Sequence, residues 1–164
     1  VLFRSPTFSS DGRYIFSTNA SSLPVTAWEI ESGQQAFTLG VEGGAEGLVL
    51  SLDGTRLAAI SGTGTKVWDV KSRAEVGTVN VGFAFFSQPA FSPDGKRIAR
   101  DGVVWDARNG HEALTLDVPP RGCASMVFTR DGRRLIGGCM DGTIRIWDAT
   151  PLESEPKSLP TVAQ

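Results

Sequence analysis

The sequence holds little of what most enzyme chemistry needs. Among its 164 residues are one histidine, two cysteines, two methionines and one tyrosine. A lone imidazole cannot supply the paired ligands of a metal site, and no spacing here supports a Ser-His-Asp site. His111 stands six residues after Trp105, where comparable stretches carry Gln34 and Ala74, and is read as a solvated turn residue. Cys123 and Cys139 form no CxxC pair, and two cysteines do not make a disulfide framework. They are expected to come near one another across a hairpin as small, buried, reduced core residues. Charge of one sign is also missing. Sixteen basic against 18 acidic residues leave a net charge of −2, which gives no electrostatic reason to expect nucleic acid or an anionic membrane as partner. No apolar run nears the length of a membrane span, the longest, Val79 to Phe86, being broken by Asn80 and Gly82. The N-terminus shows neither an initiator Met nor a secretory signal. Val1-Leu2-Phe3-Arg4-Ser5 is what the end of a common sequencing-library adapter encodes in one reading frame, so residues 1–5 are expected to be a non-native leader, with a real preceding strand as the alternative. The compartment is therefore not legible at this end, and the cytoplasm is favoured.

Glycine is abundant, with 19 residues beside 9 prolines, which argues against long helices and for many tight turns between short strands. The turns recur. Asp-Gly stands at Asp11-Gly12, Asp53-Gly54, Asp94-Gly95 and Asp131-Gly132, spaced 42, 41 and 37 residues apart. All four tryptophans, Trp28, Trp68, Trp105 and Trp147, follow those pairs by 17, 15, 11 and 16 residues. Phe8, Leu50, Phe91 and Phe128 precede each Asp by three positions, Ser9, Ser51, Ser92 and Thr129 by two, and Ile15, Leu57, Ile98 and Leu135 follow it by four. An apolar strand ending in a hydroxyl, an Asp-Gly turn and a second apolar strand describe a β-hairpin. Each Trp is followed by an acid, Glu29, Asp69, Asp106 or Asp148, and in the first three units by a Ser/Asn turn and a Thr-apolar alternation. That is a second strand, turn and strand, so each unit is four short antiparallel strands, A to D.

These residues carry a family resemblance. Phe91-Ser92-Pro93-Asp94-Gly95-Lys96-Arg97-Ile98-Ala99 and Gly142-Thr143-Ile144-Arg145-Ile146-Trp147-Asp148 look like the two halves of the WD-repeat β-propeller signature, and four copies share it in phase over roughly residues 6–150. Trp105-Asp106-Ala107-Arg108-Asn109-Gly110 resembles bacterial WD-repeat arrays. The resemblance implies an all-β fold of four four-stranded blades, near residues 6–40, 47–80, 88–117 and 123–150, with 151–164 a Pro-rich tail or linker. It implies a structural part for the four Trp residues and for Asp53, Asp94, Asp131, Asp69, Asp106 and Asp148, with the tryptophans wedged between neighbouring sheets. No unit carries the Gly-His that usually precedes strand A, so the family's His-based network is incomplete and apolar packing must carry the blades. The fourth unit runs into Pro151-Leu152-Glu153-Ser154-Glu155-Pro156, a poor D strand, and the expected shape is an open arc.

Other chemistry is weighed and set aside. The Asp-Gly pairs are followed by basic residues and lack the alternating oxygen ligands of a calcium loop. Gly62-Thr63-Gly64-Thr65-Lys66 superficially resembles a phosphate loop, but no helix pattern follows, and a hairpin connection is expected. Arg13, Arg56, Lys96, Arg97, Arg133 and Arg134 all begin B strands and gather on one face, where they read as solvated charges beside their turn Asp. The opposite face, built from D-to-A and B-to-C connections, is the expected recognition surface. Its D-to-A loops differ: Gly40 to Glu46 is acidic and flexible, Asn80 to Ser87 carries Phe83, Phe85 and Phe86, and Asp117 to Gly122 carries Pro119-Pro120-Arg121. Phe83, Phe85 and Arg121 are the candidate partner-binding residues, although the phenylalanines could equally extend strand A into the core. The resemblance thus implies a non-catalytic protein-interaction scaffold within a larger protein, without cofactor or metal, whose partners are proteins and the missing blades of the same polypeptide. The rivals are a periplasmic-type propeller of envelope transport, disfavoured by the Trp-Asp column, and the propeller part of a hydrolase, lactonase or multidomain enzyme, disfavoured because catalytic ligands are absent from this stretch.

Overall fold

The computed structural model describes residues 3–19, 24–61, 64–79 and 88–148. They form four antiparallel sheets and no helix. Sheet 1 is β1 (Phe3–Phe8), β2 (Tyr14–Asn19), β3 (Val25–Glu29) and β4 (Gln35–Leu39), paired in chain order. Sheet 2 is β5 (Gly47–Leu50), β6 (Arg56–Ser61), β7 (Gly64–Asp69) and β8 (Glu75–Val79), and sheet 3 is β9 (Ala90–Phe91), β10 (Arg97–Arg100), β11 (Val103–Asp106) and β12 (Glu112–Thr115). Sheet 4 has three strands among the described residues, β13 (Cys123–Phe128), β14 (Arg134–Cys139) and β15 (Ile144–Asp148), where four strands per unit were expected. β1 pairs through Phe3↔Asn19 and Arg4↔Thr18, so part of the expected leader lies within a strand.

The hairpins form where the sequence punctuates them. Gly12, Gly54, Gly95 and Gly132 all hold φ between +66° and +70°, a region that L side chains avoid and glycine enters freely. In unit 3 the Arg100↔Val103 pair leaves Asp101-Gly102 as a two-residue turn, with φ of 52° and 81° at the two positions, as a primed hairpin turn requires. Arg73 stands where the other units have Gly33 and Gly110, and it too is left-handed at φ 62°.

Because side chains alternate across a strand, each sheet presents two apolar rows. One row joins strands A, B and C through the tryptophan: Phe8–Ile15–Trp28, Leu50–Leu57–Trp68, Phe91–Ile98–Trp105 and Phe128–Leu135–Trp147. The other joins Phe16–Ala27, Ala58–Val67, Ala99–Val104 and Ile136–Ile146. At every joint the tryptophan row of one sheet meets the second row of the sheet before it. Leu57 and Trp68 share a core with Phe16 and Ala27, Ile98 and Trp105 with Ala58 and Val67, and Leu135 with Ala99 and Val104, against which Trp147 also packs. Trp68 and Trp105 are 3% and 5% exposed. Trp28 is only half-buried, because no described sheet lies on its side, and its indole N–H donates to Ser17 Oγ at 3.0 Å. Three of the four tryptophans therefore wedge between sheets.

The cysteines depart from expectation. Cys123 and Cys139 are paired across β13 and β14 as anticipated, but they are joined in a disulfide, with an S–S distance of 2.01 Å, rather than reduced. The register sets the two buried side chains directly opposite one another, so the same alternation that fills the core brings both sulfurs together. Arg100 was likewise not anticipated as a core residue: it is 4% exposed, with Nε 3.2 Å from Asp101 and Nη1 donating to Thr65 Oγ1 at 3.0 Å, which ties sheet 3 to sheet 2.

Candidate functional site

The A–B and C–D turns line one face. Each turn aspartate is consumed locally: Asp11, Asp53, Asp94 and Asp131 accept a 2.6 Å bond from Ser9, Ser51, Ser92 and Thr129, and backbone N–H groups two residues on at 3.0–3.1 Å. The hydroxyl bond, then the backbone bond, holds the Asp11 and Asp131 carboxyls below their ordinary range. At Asp53 and Asp94 burial is the largest single influence and pushes upward, but the hydroxyl and N–H bonds together outweigh it and the net direction is again down. Asp69 is lowered by the Ser72 N–H first, against burial, and Asp106 by the Arg108 guanidinium. Asp148 closes β15 at the strand end. The other six carboxylates are spent on their turns.

Between sheets 1 and 2 this face opens into a cleft of about 560 Å³ lined by Asp11, Arg13, Arg56, Asp69, Lys71 and Arg73. Several of its charges are answered: Arg56 pairs with Asp69, and Arg73 lies 4.1 Å over the Phe37 ring. Arg56 thus finds the acid after the tryptophan rather than its turn Asp, whereas Lys96 does lie 3.9 Å from Asp94. His111 is exposed, its N–H donating to Asn109 Oδ1, in the manner of a turn residue. Among the described residues no group of three His, Cys, Asp or Glu side chains is placed to hold a metal ion, and no helix is long and apolar enough to cross a membrane.

The opposite face is less uniform. In the loop after β4, Val41 and Ala45 are buried in the joint between sheets 1 and 2, so the acidic loop is anchored while Glu42 and Glu46 face outward. Phe83 and Phe85 lie outside the described residues. Arg121 is described: it is exposed at the tip of a turn in which Gly122 N–H donates to Pro119 O at 2.7 Å, with Pro119 buried beneath. Asp117, at the base of this loop, accepts from the Trp147 indole through its carbonyl at 3.3 Å and lies 3.5 Å from Arg145.

A residue missed in the sequence joins Arg121 here. Met140, in the β14–β15 turn, is 52% exposed, and its N–H donates to Gly122 O at 3.0 Å. The disulfide sits immediately under both, Cys123 following Arg121-Gly122 and Cys139 preceding Met140. Two loops from separate hairpin ends are therefore fixed to one another by a covalent bond and a backbone hydrogen bond, and they present a guanidinium, a thioether and exposed Pro120 together. A methionine followed by Asp141-Gly142, a turn signal at the hairpin end, is the signal that could have marked it.

Residues 109–148, which run from just before β12 to the end of β15, match the family described as WD domain, G-beta repeat. The chain is also similar to a periodic tryptophan protein 2 homolog of Caenorhabditis elegans, at 29% identity over 129 residues covering 69% of this chain and 14% of the relative. Cilia- and flagella-associated protein 52 of Bos taurus is 25% identical over 137 residues, covering 84% of this chain and 21% of its own length. The chain thus spans less than a quarter of either relative.

Proposed function

We propose that this chain, which matches the WD-repeat family over residues 109–148 and is similar to two relatives over most of its length, is a non-catalytic scaffold that binds other proteins through the face carrying the D–A and B–C connections. The observation that carries the choice of face is the Arg121–Met140 pair, exposed yet held in place from below by the Cys123–Cys139 bond. Pre-organised exposed side chains lose little entropy on binding, and Arg and Met are enriched at protein interfaces. The turn face lacks this property, since its carboxylates and several of its cations already satisfy one another. Phe83 and Phe85 belong to the same proposed surface by their place in the chain.

A pull-down from a lysate, comparing the wild-type chain with Arg121→Ala, Met140→Ala and Phe83→Ala, tests the assignment. We expect Arg121→Ala and Met140→Ala each to weaken capture of the same partner by tenfold or more, with Arg108→Ala on the turn face unchanged. Equal capture by all variants would remove the face from consideration.

A further inference from the structure

In the cleft between sheets 1 and 2, Arg56 is answered by Asp69, but three further cations line the walls. Arg13, Lys71 and Arg73 are exposed there and make no ion pair among the described residues. The carboxylates of the cleft are engaged elsewhere. Asp11 accepts from Ser9 Oγ and the Arg13 N–H, Asp53 from Ser51 Oγ and the Thr55 N–H, and Asp69 from the Ser72 N–H and Arg56.

Two of the three cations are steadied by rings. Arg73 lies 4.1 Å over Phe37, Phe37 meets Tyr14 edge-on at 5.5 Å, and Arg13 lies 5.4 Å from the Tyr14 centroid. Arg73 comes from the turn between β7 and β8 and Phe37 from β4, so this stack spans the joint. Contact with a ring orients a guanidinium without satisfying its N–H donors by a hydrogen bond. The turn that delivers Arg73 also departs from its repeats. Units 1 and 3 carry Gly33 and Gly110 at this position, whereas Arg73 holds the same left-handed backbone, φ 62°, which an L side chain enters at a cost. A long cation where glycine is unstrained points to use of its side chain. Lys71 is unmatched too, since unit 1 has Glu31 in its place and the unit 3 counterpart, Arg108, is paired with Asp106.

Three unpaired cations around one cleft select an anion of more than one charge. A carboxylate offers two oxygens and a single charge, whereas a phosphate monoester offers three terminal oxygens and close to two charges near neutral pH. A volume of about 560 Å³ is that of a small-molecule site and leaves room beyond the phosphate, where Tyr14 and Val70 form part of the wall. We propose that this cleft binds a small phosphate monoester, its phosphate held by Arg73, Lys71 and Arg13 and its organic part against Tyr14 and Val70. The site lies on the face opposite Arg121 and Met140 and goes beyond the scaffold reading, so either can fail without the other.

Titration of the isotope-labelled full chain with phenyl phosphate at constant ionic strength, followed by amide chemical shifts, tests the proposal. Shifts are expected at residues 10–14 and 70–73, with binding about tenfold tighter than that of benzoate, which keeps the ring but carries one charge. Arg73→Gly installs the residue that units 1 and 3 carry, and is expected to keep the fold by circular dichroism while weakening phenyl phosphate about tenfold. Lys71→Ala takes its place, with the same loss expected, should that variant not fold. Arg108→Ala, on the same face but outside the cleft, is expected to bind as wild type does. Absence of shifts in these turns, equal affinity for benzoate, or variants that bind as tightly as wild type would each overturn the proposal. So would a capped phosphoserine peptide that binds more tightly than phenyl phosphate, because the occupant would then be a phosphorylated segment of a protein.

Discussion

At the scale of the residue, position in the arc decides what a side chain contributes. Trp68 and Trp28 occupy the same place in their repeats, but Trp68 is closed between two sheets and Trp28 is half-buried. Trp68→Ala should therefore lower stability by roughly 3–5 kcal/mol, the usual cost of emptying a packed aromatic site, and Trp28→Ala by clearly less. Denaturant midpoints of the two variants, measured side by side, check the difference, and equal losses would mean that the joints are not the main source of stability. The turn aspartates act through charge. Asp11, Asp53, Asp94 and Asp131 have folded pKa values below their ordinary range, so the folded chain binds fewer protons than the unfolded one in acid. Their contribution is complete above about pH 4 and is lost as pH falls below it through the folded values. Urea midpoints measured from pH 6 down to pH 3 should stay level and then decline at the acid end; a decline that begins near pH 6 would point to other groups.

At the scale of the element, the hairpin turn is the unit that repeats most closely. Gly54 holds φ +70°, and a Cβ built there would stand 1.9 Å from Ser10 Oγ and 2.3 Å from its Cβ, so the turns of adjacent sheets also touch. Gly54→Ala should cost about 1–3 kcal/mol through the left-handed backbone and the clash together. Gly12, with nothing within 4 Å of its own Cβ position, isolates the backbone share of that cost when changed in the same way. The β13–β14 hairpin adds a covalent tie whose ends lie 16 residues apart, which the chain-entropy account values at roughly 3 kcal/mol. Cys123→Ser with Cys139→Ser should raise amide exchange across β13 and β14 while leaving β6 and β7 protected. The turns and tryptophans were legible because each is a column repeated in phase, and the four-unit fold follows from them. The disulfide was not, since pairing depends on register, and a slip of one residue would put the sulfurs on opposite faces. Arg100 was illegible for a similar reason: its sequence place beside Asp101-Gly102 reads as a solvated turn, and only the neighbouring sheet supplies Thr65 to bury it.

At the scale of the whole molecule, four sheets share one joint design, and the two faces of the arc carry different chemistry. The turn face is made of repeated, self-satisfied Asp and hydroxyl bonds, so substitution there is felt mainly as stability. The connection face varies from unit to unit, and one exposed feature on it is tied down by both the disulfide and a backbone hydrogen bond. Met140 entered this surface only once the structure joined its N–H to Gly122 O, because its place in a turn marks it as exposed but does not say that it stands beside Arg121. The central claim is that proteins are bound on the connection face. Hydrogen–deuterium exchange of the chain, alone and with a captured partner, measures that directly. Protection should concentrate in residues 117–122 and 139–142. Protection concentrated instead in the turns at 9–13, 51–56 and 69–73 would contradict the account.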